Sequence, residues 1–131
     1  MSKRAEPVAV PGLPEPVSHY SHAVRFGDLV HVSGLVAMDE QGRVAGKGDA
    51  VAQTELIFAH LQPVLDAVGA TPADVLKVTV FLRDVDDRPR INPVRQRFFG
   101  DHRPASTLVE VSRLIHEDLL VEIEAVASIP T

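Results

Sequence analysis

The sequence predicts an α+β fold in which two helices cover one face of a single mixed sheet. Short segments of alternating apolar and polar residues are separated by two longer segments whose apolar residues recur at steps of three and four. The resulting order is β-β-(β)-α-β-α-β-β. Each helix connects strands that can run parallel, and right-handed crossovers then place both helices on the same face.

A β-hairpin is predicted near the start of the chain. Residues 19–25 alternate loosely, residues 29–37 are rich in branched apolar side chains, and Phe26-Gly27-Asp28 between them is a turn signal. A second turn at 39–42 is followed by an optional short strand at 43–45.

Two helices follow from the change of period. Over 49–69 the apolar residues form one helical face, with Asp49 as the expected N-cap and Gly69 as the expected stop. Pro63 lies inside this pattern, and because proline has no backbone N–H we expect a kink there. The second helix is predicted over 86–99.

The remaining strands complete the sheet. Residues 75–85 alternate as a central strand does, and 106–113 and 119–128 are predicted as the last two strands. In the last strand Glu122 and Glu124 point to one face and the apolar residues to the other. Since two helices cover only one face of the sheet, the apolar residues of the other face predict a homo-oligomer.

The composition excludes several classes of function. The chain has 131 residues, a formal net charge of -5 and no cysteine. The acidic balance argues against a nucleic-acid-binding protein, and the lack of cysteine excludes thiolate chemistry and fits a cytoplasmic location. We find no apolar segment of membrane-spanning length and no signal peptide, so no membrane partner is expected. Residues 1–17, with four prolines, are predicted to form an extended arm, and residues 18–131 a single domain.

Metal and nucleophile motifs are not apparent. The six histidines show no pair with helical ligand spacing, and we interpret His116-Glu117-Asp118 as a solvated loop rather than a metal site. Ser33 lacks the glycine that a nucleophile elbow requires two positions earlier. What remains is a set of polar residues near the ends of predicted elements: Tyr20, Ser33, Asn92, Ser106, Thr107 and Glu122.

Several blocks of the sequence resemble the RidA/YjgF family. They are Tyr20-Ser21, Gly27-Asp28-Leu29-Val30, Val32-Ser33-Gly34, the segment Val78 to Asp84, Asn92, the segment Phe98 to Ala105, the segment Val109 to Leu114 and the segment Val121 to Ala127. The resemblance covers the chain from about Tyr20 to Ala127 in order.

This resemblance implies a chorismate-mutase-like fold with a six-stranded mixed sheet and two helices. It also implies a homotrimer with a central barrel and a small-molecule cleft between each pair of subunits. The activity implied is hydrolysis of reactive enamines and imines, such as 2-aminoacrylate, to a keto acid and ammonia without a metal or organic cofactor.

The resemblance also assigns roles to residues. Glu122 matches a glutamate that positions water and manages protons, and Ser33 and Tyr20 match residues that line the cleft. Ser106 stands where active relatives carry the arginine that binds the substrate carboxylate, so the chain is a divergent member that lacks this arginine. Because serine offers one neutral hydrogen bond where arginine offers two charge-assisted ones, we expect weak or absent deamination of 2-aminoacrylate.

Two functions follow as hypotheses. The first is an enzyme acting on a small imine, enamine or related conjugated compound, with Glu122 as the base and Ser33, Ser106 and Thr107 as neutral donors. The alternative is a trimer that binds a small metabolite without turnover. An RNA-cleaving activity, sometimes attached to this family, is disfavoured by the negative charge.

Overall fold

The computed structural model describes residues 4–131. Its strands are β1 (Glu6–Pro7), β2 (Ala23–Phe26), β3 (Leu29–Leu35), β4 (Val75–Leu82), β5 (Ala105–Glu110) and β6 (Val121–Ser128). Its helices are α1 (Ala50–Ala67) and α2 (Arg88–Phe99), each close to a short 3₁₀ turn, at Pro72–Asp74 and Val85–Asp87.

The strands form one six-stranded mixed sheet in the order β1-β2-β3-β6-β4-β5. β4 and β5 are the only neighbouring strands among residues 4–131 that pair in parallel, and α2 is the crossover that connects them. All other neighbouring pairs are antiparallel. The predicted α+β fold, with a mixed sheet and two helices, is therefore confirmed.

The core lies between the helices and one face of the sheet. Val30, Val78 and Ile123, from three different strands, are at most 2% exposed and pack with Ile57 and Leu61 of α1. Helix α2 joins this core through an aromatic cluster in which the rings of Phe58 and Phe98 stack at 4.6 Å. Burial of these side chains stabilises the fold by roughly 1.5–3 kcal/mol each.

The other face of the sheet is open in the single chain. Large apolar side chains there and at the sheet's rim remain exposed, including Phe26 at 49% and Val109 at 38%. His31 and Glu124 also lie on the open face. His31 pairs with Val126, which is two residues from Glu124 in β6, and alternate residues of a strand share a face. The homo-oligomer expected from the sequence stays a prediction that this surface supports.

Gln53 fixes the segment that leads into β6. Its side chain is fully buried in α1, where Oε1 accepts a hydrogen bond from the Leu120 N–H at 2.8 Å. Its Nε2 donates to the carbonyls of Asp118, at 2.9 Å, and Gly46, at 3.2 Å. A helix side chain thus satisfies three backbone groups that no strand pairs, and it sets the position at which β6 begins.

Some boundaries differ from the prediction. The hairpin's first strand begins at Ala23 rather than residue 19, and the optional strand at 43–45 is only an isolated bridge between Met38 and Val44. Helix α1 begins after the predicted N-cap Asp49, whose side chain accepts from the Ala52 N–H, and it stays helical through Pro63. None of the helices in residues 4–131 is long and apolar enough to cross a membrane.

Candidate functional site

Glu122 lies on the open face of the sheet, at the start of β6. Its neighbours Val121 and Ile123 are buried in the core, so the alternation of the strand turns the Glu122 carboxylate to the opposite side. Its register partner in β4 is Phe81. The sequence prediction that Glu122 and Glu124 share a face is confirmed by this register.

Gly34 lies directly under the Glu122 carboxylate. The pairing of β3 with β6 is regular up to Val32 and shifts before Leu35, so Gly34 sits at an irregularity in β3. A β carbon at this glycine would lie 2.8 Å from Cδ of Glu122, closer than real β carbons approach, and would overlap its Oε2. The Gly34 φ angle lies outside the left-handed region. Glycine is therefore needed here for space rather than for backbone conformation.

The two residues line a cavity of about 180 Å³. This volume is several times the ~30 Å³ that a water molecule occupies in the liquid, so a small metabolite fits. The lining residues come from the N-terminal segment, from β3 and the loop after it, from α1, and from β6 and the loop before it: Leu13, Pro14, Glu15, Val17, Tyr20, His22, Gly34, Leu35, Val36, Met38, His60, Ile115 and Glu122.

Burial changes the acidity of Glu122. Desolvation raises the pKa of this carboxyl above its ordinary value, and the negative charge of Glu124 two residues later raises the pKa further. Of residues 4–131, no lysine, arginine or histidine nitrogen lies within 4.0 Å of the carboxylate. A carboxylate in this environment is a stronger base than an exposed one, as general-base catalysis requires.

Two histidines lie at the same cavity. Burial lowers the pKa of His60, the charge of His22 lowers it further, and a hydrogen bond with the Val36 backbone opposes these effects. His22 contacts the backbone oxygen of Pro14 through Nε2 at 2.5 Å, and its ring meets that of Tyr20 edge to face at 6.2 Å between centroids. His22 thereby attaches the segment that closes one side of the cavity.

Ser33 supports this wall from behind. Its hydroxyl donates to the carbonyl of Ser21 at 2.6 Å, and its N–H donates to the carbonyl of His22 at 2.9 Å. These bonds fix the backbone next to Tyr20. Tyr20 and Glu122 are thus the two predicted site residues that line the cavity, and Ser33 lies in contact with its wall.

The other three predicted site residues lie elsewhere in the chain. Ser106 accepts a hydrogen bond from Nη2 of Arg95 at 2.8 Å, and Asn92 lines a groove beside α2. Thr107 accepts from Nζ of Lys77 at 2.6 Å and lies on the open face. In a single chain the predicted site residues therefore lie in two groups, one at the Glu122 cavity and one at the β5 edge of the sheet.

The sequence did not identify several residues that lie at the Glu122 cavity or at the β5 edge. Gly34 carried no signal beyond the Val-Ser-Gly block, because its role depends on a partner 88 positions later. His60 lies on α1 among apolar residues with no motif around it. Among the arginines of α2, Arg88, Arg90 and Arg97 are exposed, whereas Arg95 is half-buried, and their spacing in the sequence does not distinguish it.

The described chain does not assemble a metal site. No group of three or more His, Asp or Glu side chains in residues 4–131 has the arrangement to hold a metal ion. In the loop before β6, His116 and Lys47 each lie within 4.0 Å of Asp118. These contacts are those of an exposed loop.

Comparison with known proteins agrees with the fold and the motifs. The family model described as Endoribonuclease L-PSP matches residues 12–129. A RutC family protein of Pyrococcus abyssi is 39% identical over 114 residues, which cover 87% of this chain and 89% of that protein. The 3-aminoacrylate deaminase RutC of Acinetobacter baylyi is 37% identical over 118 residues, covering 90% and 93%.

A solved structure extends the agreement to three dimensions. The crystal structure of a putative endoribonuclease from Thermotoga maritima superposes with a TM-score of 0.88 at 37% identity, covering 96% of this chain and 98% of that one. The matched region includes both the Glu122 cavity and the β5 edge. The chain belongs to the Endoribonuclease L-PSP family, the family of the RidA/YjgF proteins that its sequence resembles.

Proposed function

We propose that this protein is a hydrolytic deaminase of small enamines and imines, with Glu122 as its general base. The observation that carries the proposal is the seating of the Glu122 carboxylate, half-buried against Gly34 at a cavity of metabolite size, with a raised pKa. The name of the Acinetobacter baylyi relative, a 3-aminoacrylate deaminase, supports the substrate class.

The reaction needs one base and one water molecule. An enamine first takes a proton from solvent at carbon and becomes an iminium ion. Glu122 then accepts a proton from water as the water oxygen bonds to the iminium carbon, giving a carbinolamine. The same carboxyl returns its proton to the nitrogen, the C–N bond breaks and ammonia leaves. The carbonyl forms as the hydroxyl proton is released to solvent, which balances the proton taken up at carbon. The balance is one imine and one water to one ketone or aldehyde and one ammonia.

A second copy of the chain completes the site in this proposal. Ser106 and Asn92 lie outside the cavity of their own chain, at the β5 edge and beside α2. The apolar open face supplies the surface for association into a homotrimer, as the family resemblance implies. The substrate would then bind between Glu122 of one copy and the β5 edge of the next.

The test is turnover of substrates made in situ. We would generate 2-aminoacrylate, 2-iminobutanoate and 3-aminoacrylate in coupled assays and measure the ammonia released above the uncatalysed rate. Glu122→Gln should lower the rate by about 10²–10⁴-fold, the usual contribution of a general base. Glu124→Gln is the matched control when the rates are compared at a pH above the acidic limb, because it removes an exposed carboxylate on the same face and Glu122 is ionised there in both proteins.

The alternative is a metabolite-binding protein without turnover. It is favoured by one observation: among residues 4–131, no lysine or arginine that would hold a substrate carboxylate lines the cavity of the single chain. Wild-type protein that binds keto acids but accelerates none of the three reactions would establish this alternative and contradict the enzyme.

A further inference from the structure

Arg95 is a half-buried cation without an acidic partner. Its Nη2 donates to the Ser106 hydroxyl at 2.8 Å, and among residues 4–131 no carboxylate oxygen lies within 4.0 Å of its guanidinium. Burial lowers the pKa of Arg95, and the nearby charge of Arg88 lowers it further. Removing a cation from water without an anion to compensate is unfavourable. Such a group is expected where an anion binds.

The guanidinium opens onto a groove. The groove has a volume of about 580 Å³ and lies between α2 and the turn at 100–104. Asn92 and Gln96 bring amide groups to it, and Arg103 brings a second cation. His102 also lines the groove, but its Nε2 contacts the backbone oxygen of Val75 at 2.7 Å, so that nitrogen is engaged.

The charges of the groove favour an anion of single charge. Arg95 and Arg103 are its cations and Asp101 is its carboxylate, so the formal sum is one positive charge. A carboxylate ligand balances this sum, whereas a phosphate dianion exceeds it and meets Asp101. Phe99 and Pro104 add apolar surface for a short carbon chain.

We propose that Arg95 binds the carboxylate of a small 2-keto or 2-imino acid in this groove, and that Ser106 is the residue that positions it. A guanidinium has five N–H donors, of which one is used by Ser106, so a planar carboxylate can still accept two parallel bonds. The class of ligand rests on the proposed function. The cation that the sequence lacks at position 106 is then supplied from α2.

The test is equilibrium binding to the full-length protein, measured by titration calorimetry with 2-oxobutanoate. Arg95→Gln should bind about 10- to 100-fold more weakly, as expected for loss of a charge-assisted bidentate contact. Arg95→Lys keeps the charge but not the planar guanidinium, so its affinity should lie between those of wild type and Arg95→Gln. Arg97→Gln removes an exposed cation from the same helix and should bind as wild type does.

Variants of Ser106 separate positioning from general structure. Ser106→Ala should weaken binding by several-fold, because Arg95 is no longer held, and Ser106→Thr should restore it through the retained hydroxyl. Thermal melts check that each variant is folded. Equal affinity of wild type, Arg95→Gln and Arg95→Lys would overturn the proposal, as would the absence of 2-oxobutanoate binding by wild type.

Two further ligands decide the chemistry. 2-Oxobutanamide, which has the same shape without the charge, should bind far more weakly, and equal affinity would contradict a carboxylate site. Tighter, Arg95-dependent binding of inorganic phosphate would make this a phosphate site and overturn the proposal. Turnover plays no part in these titrations, so Arg95-dependent binding without deaminase activity contradicts only the proposed function. Deaminase activity with Arg95-independent binding contradicts only this inference.

Discussion

The carboxylate of Glu122, in the last strand, rests on the bare backbone of Gly34 in the third. The two residues meet where the pairing of β3 with β6 becomes irregular. A side chain of any size at position 34 would occupy the space of the carboxylate. The glycine therefore decides where the proposed base stands relative to the cavity.

Gly34→Ala should lower deaminase activity by about 10²-fold, because displacement of a catalytic group by ~1 Å has effects of this size. The variant should remain folded, with a loss of about 1–3 kcal/mol in the free energy of unfolding from overpacking. Combining it with Glu122→Asp, whose side chain is shorter, should recover part of that stability. Additive losses in a urea-denaturation double-mutant cycle would show that the two side chains do not compete for space.

The acidic limb of the pH–rate profile should follow Glu122. Because its pKa is raised, kcat/KM should fall with decreasing pH at a higher pH than an ordinary glutamate would give. Glu124→Gln removes one of the causes, so it should move this limb to lower pH. A limb that does not move in Glu124→Gln, or that survives in Glu122→Gln, would assign the titration to another group.

The same raised pKa predicts a pH-dependent stability. Between the unfolded and the folded pKa of Glu122 the native state binds more protons than the unfolded state, so this residue's contribution to stability falls as pH rises through that interval. Glu122→Gln should therefore raise Tm relative to wild type at neutral pH and lose this advantage at pH values below the unfolded pKa. Thermal melts across this range measure the difference.

His22→Ala should loosen the segment that closes the cavity. The ring nitrogen of His22 contacts the backbone oxygen of Pro14, and one hydrogen bond contributes ~1 kcal/mol, about a fivefold change in local opening. Hydrogen–deuterium exchange of the peptide covering residues 12–21 should become faster by that factor. His19→Ala, at an exposed neighbouring position, should leave the exchange unchanged.

Gln53→Ala should be strongly destabilising for a polar-to-apolar change. It leaves the Leu120 N–H and the Asp118 carbonyl without their hydrogen-bond partner, which together costs about 2–3 kcal/mol or more, whereas the Gly46 carbonyl still accepts from the Asp49 N–H. Gln62→Ala on the same helix removes a hydrogen bond only to Asp66 and should change the free energy of unfolding by less than ~0.5 kcal/mol. Urea denaturation compares the two variants.

The fold was more predictable than the site, and the reasons are physical. Periodicity locates the helices and central strands because these bury one face. It missed β1, since two residues that include Pro7 at a sheet edge carry no alternation. It overextended the hairpin to residue 19 because a polar loop next to a strand has the same composition as a strand end.

The site depends on contacts that periodicity does not report. Tyr20 and Glu122 were recognised through the family motifs, and both line the cavity. Ser106 was recognised as a departure from those motifs. Its hydrogen bond with Arg95 joins a strand to a helix, and the spacing of the two residues in the sequence does not predict this contact. That the 106 side chain faces the helix follows only once β5 is paired with β4.

The place of β6 in the sheet has a consequence for biosynthesis. Of the six strands, β6 is synthesised after the other five, yet it lies in the middle of the sheet, between β3 and β4. The N-terminal hairpin and the β4-α2-β5 unit are not paired with each other and are joined only by this strand. A nascent chain therefore carries two separate half-sheets until β6 emerges, and Glu122 reaches Gly34 only after both half-sheets have been synthesised.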